Sequence, residues 1–291
     1  MTVDPDLARM VWQFGEPVHA VTYFAPETRQ HTDALGLKGG WMSYFGCRAA
    51  PLGRVPPEVV GALFYNFHPR MVGRALPDAW TYASPTRLLD ARLDAMDEAL
   101  RRLLGDTVET AGVQRAADLA RQAVERCEIA GRPLGAANAV IVPRPLAHLS
   151  LWQSLTTMRE CRGDGHVAAL VEAEISPCEA LVLQSATGRS DGEALRANRG
   201  WTEEEWTAAA EALQAKGWLE PSGTITDVGR TVRDGVEATT DRLSAAIVGG
   251  IGNDGVSELV GLLRPLAETV MGSGTVTPLN NMGLPWPPPA G

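Results

Sequence analysis

The sequence predicts a mainly α-helical protein, with an N-terminal helical domain followed by a winged-helix-like domain that carries a small two-stranded β-wing. Three observations predict it. Apolar residues recur at helical spacing through most of the chain. Cap-and-proline pairs such as Ser84-Pro85 and Ser176-Pro177 open segments with that spacing. A hairpin signal, Pro221-Ser222-Gly223, stands between two helical patterns.

Leu7 to Tyr23 reads as a helix with Pro17 inside it, as the first turn of a second segment. In that helix Glu16, His19 and Tyr23 fall at i, i+3 and i+7 and share a face. Trp41, Phe45 and Arg48 repeat the pattern, with Tyr44 beside them. Pro51, Gly53, Pro56 and Pro57 mark a loop, and Pro56-Pro57-Glu58 suits the first turn of a helix that ends near His68-Pro69. Tyr65, Asn66 and His68 then lie at its C-terminal end. From Ser84-Pro85 the chain forms an amphipathic helix with Leu89, Leu93, Met96, Leu100 and Leu103 as its seam, and Val113 to Cys127 forms another. Gly131 to Pro145 reads as a connector. The boundaries expected are 1–140 for the N-terminal domain, 146–246 for the winged-helix-like domain, and 247–291 for a C-terminal helix and proline-rich tail.

In the second half, His148, Trp152, Leu155, Arg159 and Arg162 fall within one helical face. Gly163-Asp164-Gly165 predicts a break, after which His166 starts a new helix whose free amides favour an anion, with Asp164 as its cap. Ser176 to Glu179 and Thr202 to Glu205 are capping boxes, opening helices that end at Gly188 and at Lys216-Gly217, with a short helix over 192–198 between them. Trp218-Leu219 and Thr224-Ile225 are the strands of the expected wing, and Thr226 caps a helix to about Ala246. A last helix is expected over 257–271, before the extended tail LPWPPPAG.

Composition excludes several classes. With 45% hydrophobic and 21% charged residues the chain is neither disordered nor fibrous. No apolar run reaches the roughly 20 residues of a membrane span, and the start MTVDPDLARMVWQ lacks a signal-peptide pattern, which predicts a cytoplasmic protein with no membrane partner. The four cysteines show no CxxC spacing, and His148 and His166 stand 18 residues apart with no HExxH, so no metal is expected. No GxGxxG follows a strand pattern, neither a Walker loop nor a GxSxG appears, and no cofactor is expected. The net charge of -9 works against a large nucleic-acid footprint. From Trp201 to Arg242 nine acids face four bases, a local charge of 4 − 9 = −5 where a recognition helix would meet phosphates.

The strings EPVHAVTYF, GWMSYF with RAAPLG, FYNFHP, ALPDAW, LWQSLTTMRECRGDGHVAAL, RGW and NMGLP span nearly the whole chain. On them the sequence resembles an actinobacterial family of helix-turn-helix, winged-helix-like proteins. That resemblance implies a winged-helix architecture and an intracellular setting. It implies no settled activity; related chains in natural-product biosynthetic clusters, with a link to aziridine formation, favour tailoring chemistry slightly.

Polar groups planted among apolar residues need partners or a ligand, because an unpaired buried charge costs several kcal/mol or more. The residues themselves therefore predict a pocket between the two domains. Its binding residues are Tyr23, Trp41, Tyr44, Arg48, Tyr65, Asn66, His68, His148, Trp152, Arg159 and Arg162, and its proton-transfer residues are His19 with Glu16, helped by His166. Arginine forks predict an anionic metabolite as ligand or substrate. The function expected is cofactor-independent tailoring of that metabolite in secondary metabolism; the alternative is a winged-helix regulator or ligand sensor on DNA. A homodimer or a small partner subunit stays open.

Overall fold

The computed structural model describes residues 3–188, 190–277, 280 and 282–288. The helix α1 (Pro5–Phe24) starts on an Asp4 cap and carries Pro17 in its interior. It is followed by α2 (Pro26–Ala34), α3 (Gly39–Ala49), α4 (Pro57–Phe64), α5 (Pro69–Ala75), α6 (Ala79–Tyr82) and α7 (Pro85–Leu104). Then come α8 (Ala111–Glu125), α9 (Pro133–Ala139) and α10 (Ala147–Glu172). The rest is α11 (Pro177–Ala186), α12 (Gly192–Arg199), α13 (Glu203–Ala215), α14 (Asp227–Val248) and α15 (Gly252–Gly272). Ser84, Ser176 and Thr202 cap the helices they open, the last two as full capping boxes.

Four local expectations are corrected. Among the described residues no strand forms, and the wing shrinks to one antiparallel bridge, Leu219 to Ile225, flanked by the Glu220 to Thr224 and Thr226 to Trp218 backbone bonds. The arms are short: α13 ends at Ala215 and Thr226 already caps α14, which leaves too few residues on either side of the turn for a ladder. Second, α10 does not break at Gly163-Asp164-Gly165. A helix buried nearly all round gains more from packing than two glycines lose, each costing about 1 kcal/mol against alanine. His166 therefore sits in mid-helix, no free N-terminus is offered to an anion there, and the Asp164 carboxylate accepts from the Gly135 amide instead of capping. Third, the 131–145 connector contains α9, which lies against α10 so closely that a Cβ at Gly135 would come within 2.2 Å of Cys161 Sγ. Fourth, α15 begins at Gly252, ahead of the position expected. Of the tail, residues 289–291 lie outside the described residues, as does Asn281 of the NMGLP string.

Three apolar cores position the site. The largest joins α1, α7, α8, α10, α14 and α15, with members from Val3 to Val276, so it takes residues from both sides of position 140. The second gathers the aromatic residues of α3, α4 and the 65–67 turn with α5 to α7 and Leu134 of α9. The third joins the C-terminal end of α10 to α11, α13, the bridge and Val236 of α14. Buried α10 runs from the first core into the third. No helix of the described residues is long and apolar enough to cross a membrane.

Candidate functional site

Where the three cores meet, they leave a cavity of about 560 Å³, within the range of small-molecule sites. Its walls come from α1 (Trp12, Glu16, Tyr23), α3 (Trp41, Tyr44, Arg48), the α4 end and the turn after it (Phe64, Tyr65, Asn66, Phe67), α10 (Arg159, Arg162, His166) and α14 (Arg233, Glu237, Thr240). Arg199 of α12 and the 282–283 segment complete it. Helical spacing explains the convergence: Arg159, Arg162 and His166 rise along one side of α10, while Arg233, Glu237 and Thr240 do so along α14.

The charged groups are interlocked. Glu160, 1% exposed, sits just behind the wall. Arg48 donates to it from Nε at 2.8 Å and from Nη2 at 2.9 Å, and Arg159 adds a third bond from Nη1 at 3.0 Å. Burial alone would raise the Glu160 carboxyl, but Arg48 and Arg159 hold it well below the usual carboxylate range. Arg48 also donates to the Tyr44 hydroxyl at 3.1 Å and lies over the Phe64 ring, 3.9 Å from its centroid. Arg162 pairs with Asp241 at 2.8 Å and bonds Ser244.

Glu16 is different. It is 2% exposed and 3.6 Å from Arg159 Nε through Oε1, while Oε2 has no hydrogen-bond partner. Burial pushes its carboxyl above the ordinary value against the pull of Arg159. Tyr65 is held in a strained conformation, φ 52° and ψ -66°, and its hydroxyl donates to the Ile175 carbonyl at 2.5 Å. Such backbone costs on the order of 1–3 kcal/mol and persists only where its surroundings fix it.

Ten of the residues singled out from the sequence line this cavity: Glu16, Tyr23, Trp41, Tyr44, Arg48, Tyr65, Asn66, Arg159, Arg162 and His166. Four do not. His19, 1% exposed, stands behind Tyr23, bonded to its hydroxyl through Nε2 at 3.1 Å and to Thr156 through Nδ1 at 3.0 Å. Burial pushes its imidazole well below the ordinary value, so the ring is neutral. Trp152 is fully buried, gives its indole N–H to the His19 carbonyl, and shares with His19 a smaller hollow of about 80 Å³. His68 caps α5 and bonds Glu205 at 3.0 Å. His148 bonds Asp97 at 2.6 Å and ties α10 to α7. Both are satisfied helix-to-helix contacts.

Sequence reasoning missed Trp12, Arg199, Arg233 and Glu237 on the wall and Glu160 behind it. The signal for Glu160 was present. A carboxylate between Arg159 and Cys161, on a helix with no polar face, must be buried and paired. For Arg233 and Glu237 there was no such signal, since they form an ordinary i, i+4 pair on an amphipathic helix. Among the described residues no group of three or more His, Cys, Asp or Glu could hold a metal ion, and the four cysteines are free thiols.

The chain belongs to the helix-turn-helix family, whose family model matches residues 8–277 and so covers the whole cavity except the 282–283 segment. No curated protein and no solved structure matches it.

Proposed function

We propose that this member of the helix-turn-helix family binds an anionic metabolite in the cavity between its cores and acts on it as a cofactor-independent tailoring enzyme. One observation carries the proposal. In a protein of net charge -9, five arginines line one cavity, and the carboxylates beside them are Glu16 and Glu237 on the wall with Glu160 and Asp241 paired to the arginines from off it, one fewer than the arginines. Guanidinium groups kept in low dielectric around a hollow favour a bound carboxylate, phosphate or sulfate, and they match it in a bidentate fork.

Proton transfer in this reading falls to Glu16 and His166. Thr240 donates its hydroxyl hydrogen to the Val236 carbonyl at 2.8 Å, so its oxygen accepts from His166 Nδ1 at 3.0 Å. Burial pushes His166 below its ordinary value despite Glu237, which leaves a neutral ring with a basic Nε2 on the cavity wall. The Glu16 carboxyl, pushed up by burial, holds a proton more readily than an exposed glutamate does and is placed to exchange one with a ligand.

The test is a thermal-shift and calorimetry series with phosphate, sulfate and small organic carboxylates on the wild type, Arg159→Gln and Arg233→Gln, each variant checked for native circular dichroism. Loss of one charge-assisted contact predicts at least about tenfold weaker anion binding in each variant. Equal binding in all three proteins places the anion elsewhere and rejects the proposal.

The family description favours a second reading, a regulator that binds DNA. Against it stands the exposed face of α13, which presents Glu203, Glu204 and Glu211 where phosphates would have to approach.

A further inference from the structure

The hydrogen-bond directions around the cavity say more about the ligand than its charge does. Thr156 Oγ1 donates to the Trp152 carbonyl at 2.8 Å, so its one hydrogen is committed and its oxygen accepts from His19 Nδ1 at 3.0 Å. A neutral imidazole with hydrogen on Nδ1 has only a lone pair on Nε2. The partner of that lone pair is the Tyr23 hydroxyl at 3.1 Å, and Tyr23 must therefore donate to it. Its proton is directed away from the cavity it lines, so toward a ligand the Tyr23 oxygen can only accept.

His166 repeats the arrangement. With Nδ1 donating to Thr240, Nε2 is an acceptor that makes no hydrogen bond among the described residues. Glu16 Oε2, on a side chain 98% removed from solvent, is a third acceptor without a partner. One cavity thus presents three acceptors on α1 and α10, in addition to its arginines, and one of them, Glu16 Oε2, is buried with no donor. A buried acceptor without a donor costs about 1–3 kcal/mol, more when charged, so Glu16 Oε2, with the Tyr23 oxygen and His166 Nε2 beside it as further acceptors, describes what the cavity is shaped to receive.

We propose that the ligand is an anion that also carries hydrogen-bond-donating groups, with an ammonium or hydroxyl group seated against Glu16 and further donors meeting Tyr23 and His166. This deepens the anion-binding reading above and rests on it. Arginines hold the negative end, and the aromatic wall of Trp41, Tyr44, Phe64 and Phe67 receives the carbon skeleton. A purely anionic or purely apolar guest leaves Glu16 Oε2 without a donor.

Three probes with one skeleton and one carboxylate test it: phenylalanine with an ammonium group, 3-phenyllactate with a hydroxyl, and 3-phenylpropionate with neither. Affinities are measured by calorimetry at millimolar probe concentration on wild type, Glu16→Gln and Tyr23→Phe, all of which preserve side-chain shape. A donor-bearing probe is expected to bind at least about tenfold tighter than 3-phenylpropionate, with the gap narrowing in Glu16→Gln. A lead for phenylalanine identifies an ammonium group and a lead for phenyllactate a hydroxyl, and either supports the proposal. Equal, arginine-dependent affinity for all three overturns the donor requirement while leaving anion binding intact, as does a gap that Glu16→Gln does not change. Anion binding in the cavity together with refusal of all three probes also overturns it. Failure of every anion, inorganic ones included, removes the anion-binding reading beneath it.

Discussion

Arg48 of α3 and Glu160 of α10 form a two-bond fork, Nε to Oε1 at 2.8 Å and Nη2 to Oε2 at 2.9 Å, in which neither side chain is more than 9% exposed. This pair joins the aromatic core to the long central helix and sets the wall of the cavity between them. Arg159 shares the same carboxylate and carries the linkage on to Glu16 of α1.

Arg48→Ala leaves Glu160 with one arginine in a dry environment and is expected to lower stability by about 3–5 kcal/mol. Arg48→Met combined with Glu160→Leu removes both charges at similar volume and recovers most of that loss. Urea unfolding of the three proteins checks this. A single variant within about 1 kcal/mol of wild type denies the pair its structural role.

Asp164 sets a dependence on pH. Burial pushes its carboxyl up to about 6, against the pull of the Gly135 and Leu134 amides, from an ordinary value of 3.8. The folded state then binds the proton more tightly than the unfolded one, so this group's contribution is fully present below pH 3.8 and is lost as pH rises through about 6. Asp164→Asn keeps an acceptor for the Gly135 amide without the charge. Its melting temperature is expected to exceed that of wild type by about 2–4 °C or more at pH 8, with the gap closing at pH 4. A constant difference across that range contradicts the assignment.

Gly135→Ala drives a methyl group into Cys161, whose Sγ and Cα stand 2.2 and 3.0 Å from the added carbon. Forcing α9 off α10 is expected to cost about 1–3 kcal/mol. Adding Cys161→Ala removes the sulfur but not the backbone contact, so thermal unfolding should show partial recovery. Full stability in Gly135→Ala would mean that the two helices are not held at this distance.

Random duplex DNA is expected to show no salt-dependent binding at physiological ionic strength, because α13 presents Glu203 and Glu204 on its exposed first turn. A mobility-shift titration at two salt concentrations checks it. Tight binding that falls steeply with salt gives the protein to the regulator reading.

Much of the helix plan was legible because caps and periodicity are local. Ser84, Ser176 and Thr202 each open the helix their pattern predicts, and Leu93, Met96 and Leu100 lie in the core. The failures came where local preference lost to packing. Gly163 and Gly165 signal a break, but Gly165 instead lets Arg132 and Leu243 approach α10, and Gly163 borders the cavity.

The grouping of Glu16, Tyr23, Arg48 and Arg159 around one hollow followed from the residues themselves, since polar heads at helical spacing in apolar surroundings need common company. Their separate roles did not follow. The sequence determined which side chains are too polar to be buried alone; that requirement is written in residue type and spacing. Only the tertiary structure decided that His19 stands behind Tyr23, that His68 and His148 are paired with carboxylates elsewhere, and that Arg233 and Glu237 join the wall. Partner choice depends on helix crossings between residues far apart in sequence, 51 positions for His148 with Asp97 and 137 for His68 with Glu205, and no local pattern encodes a crossing.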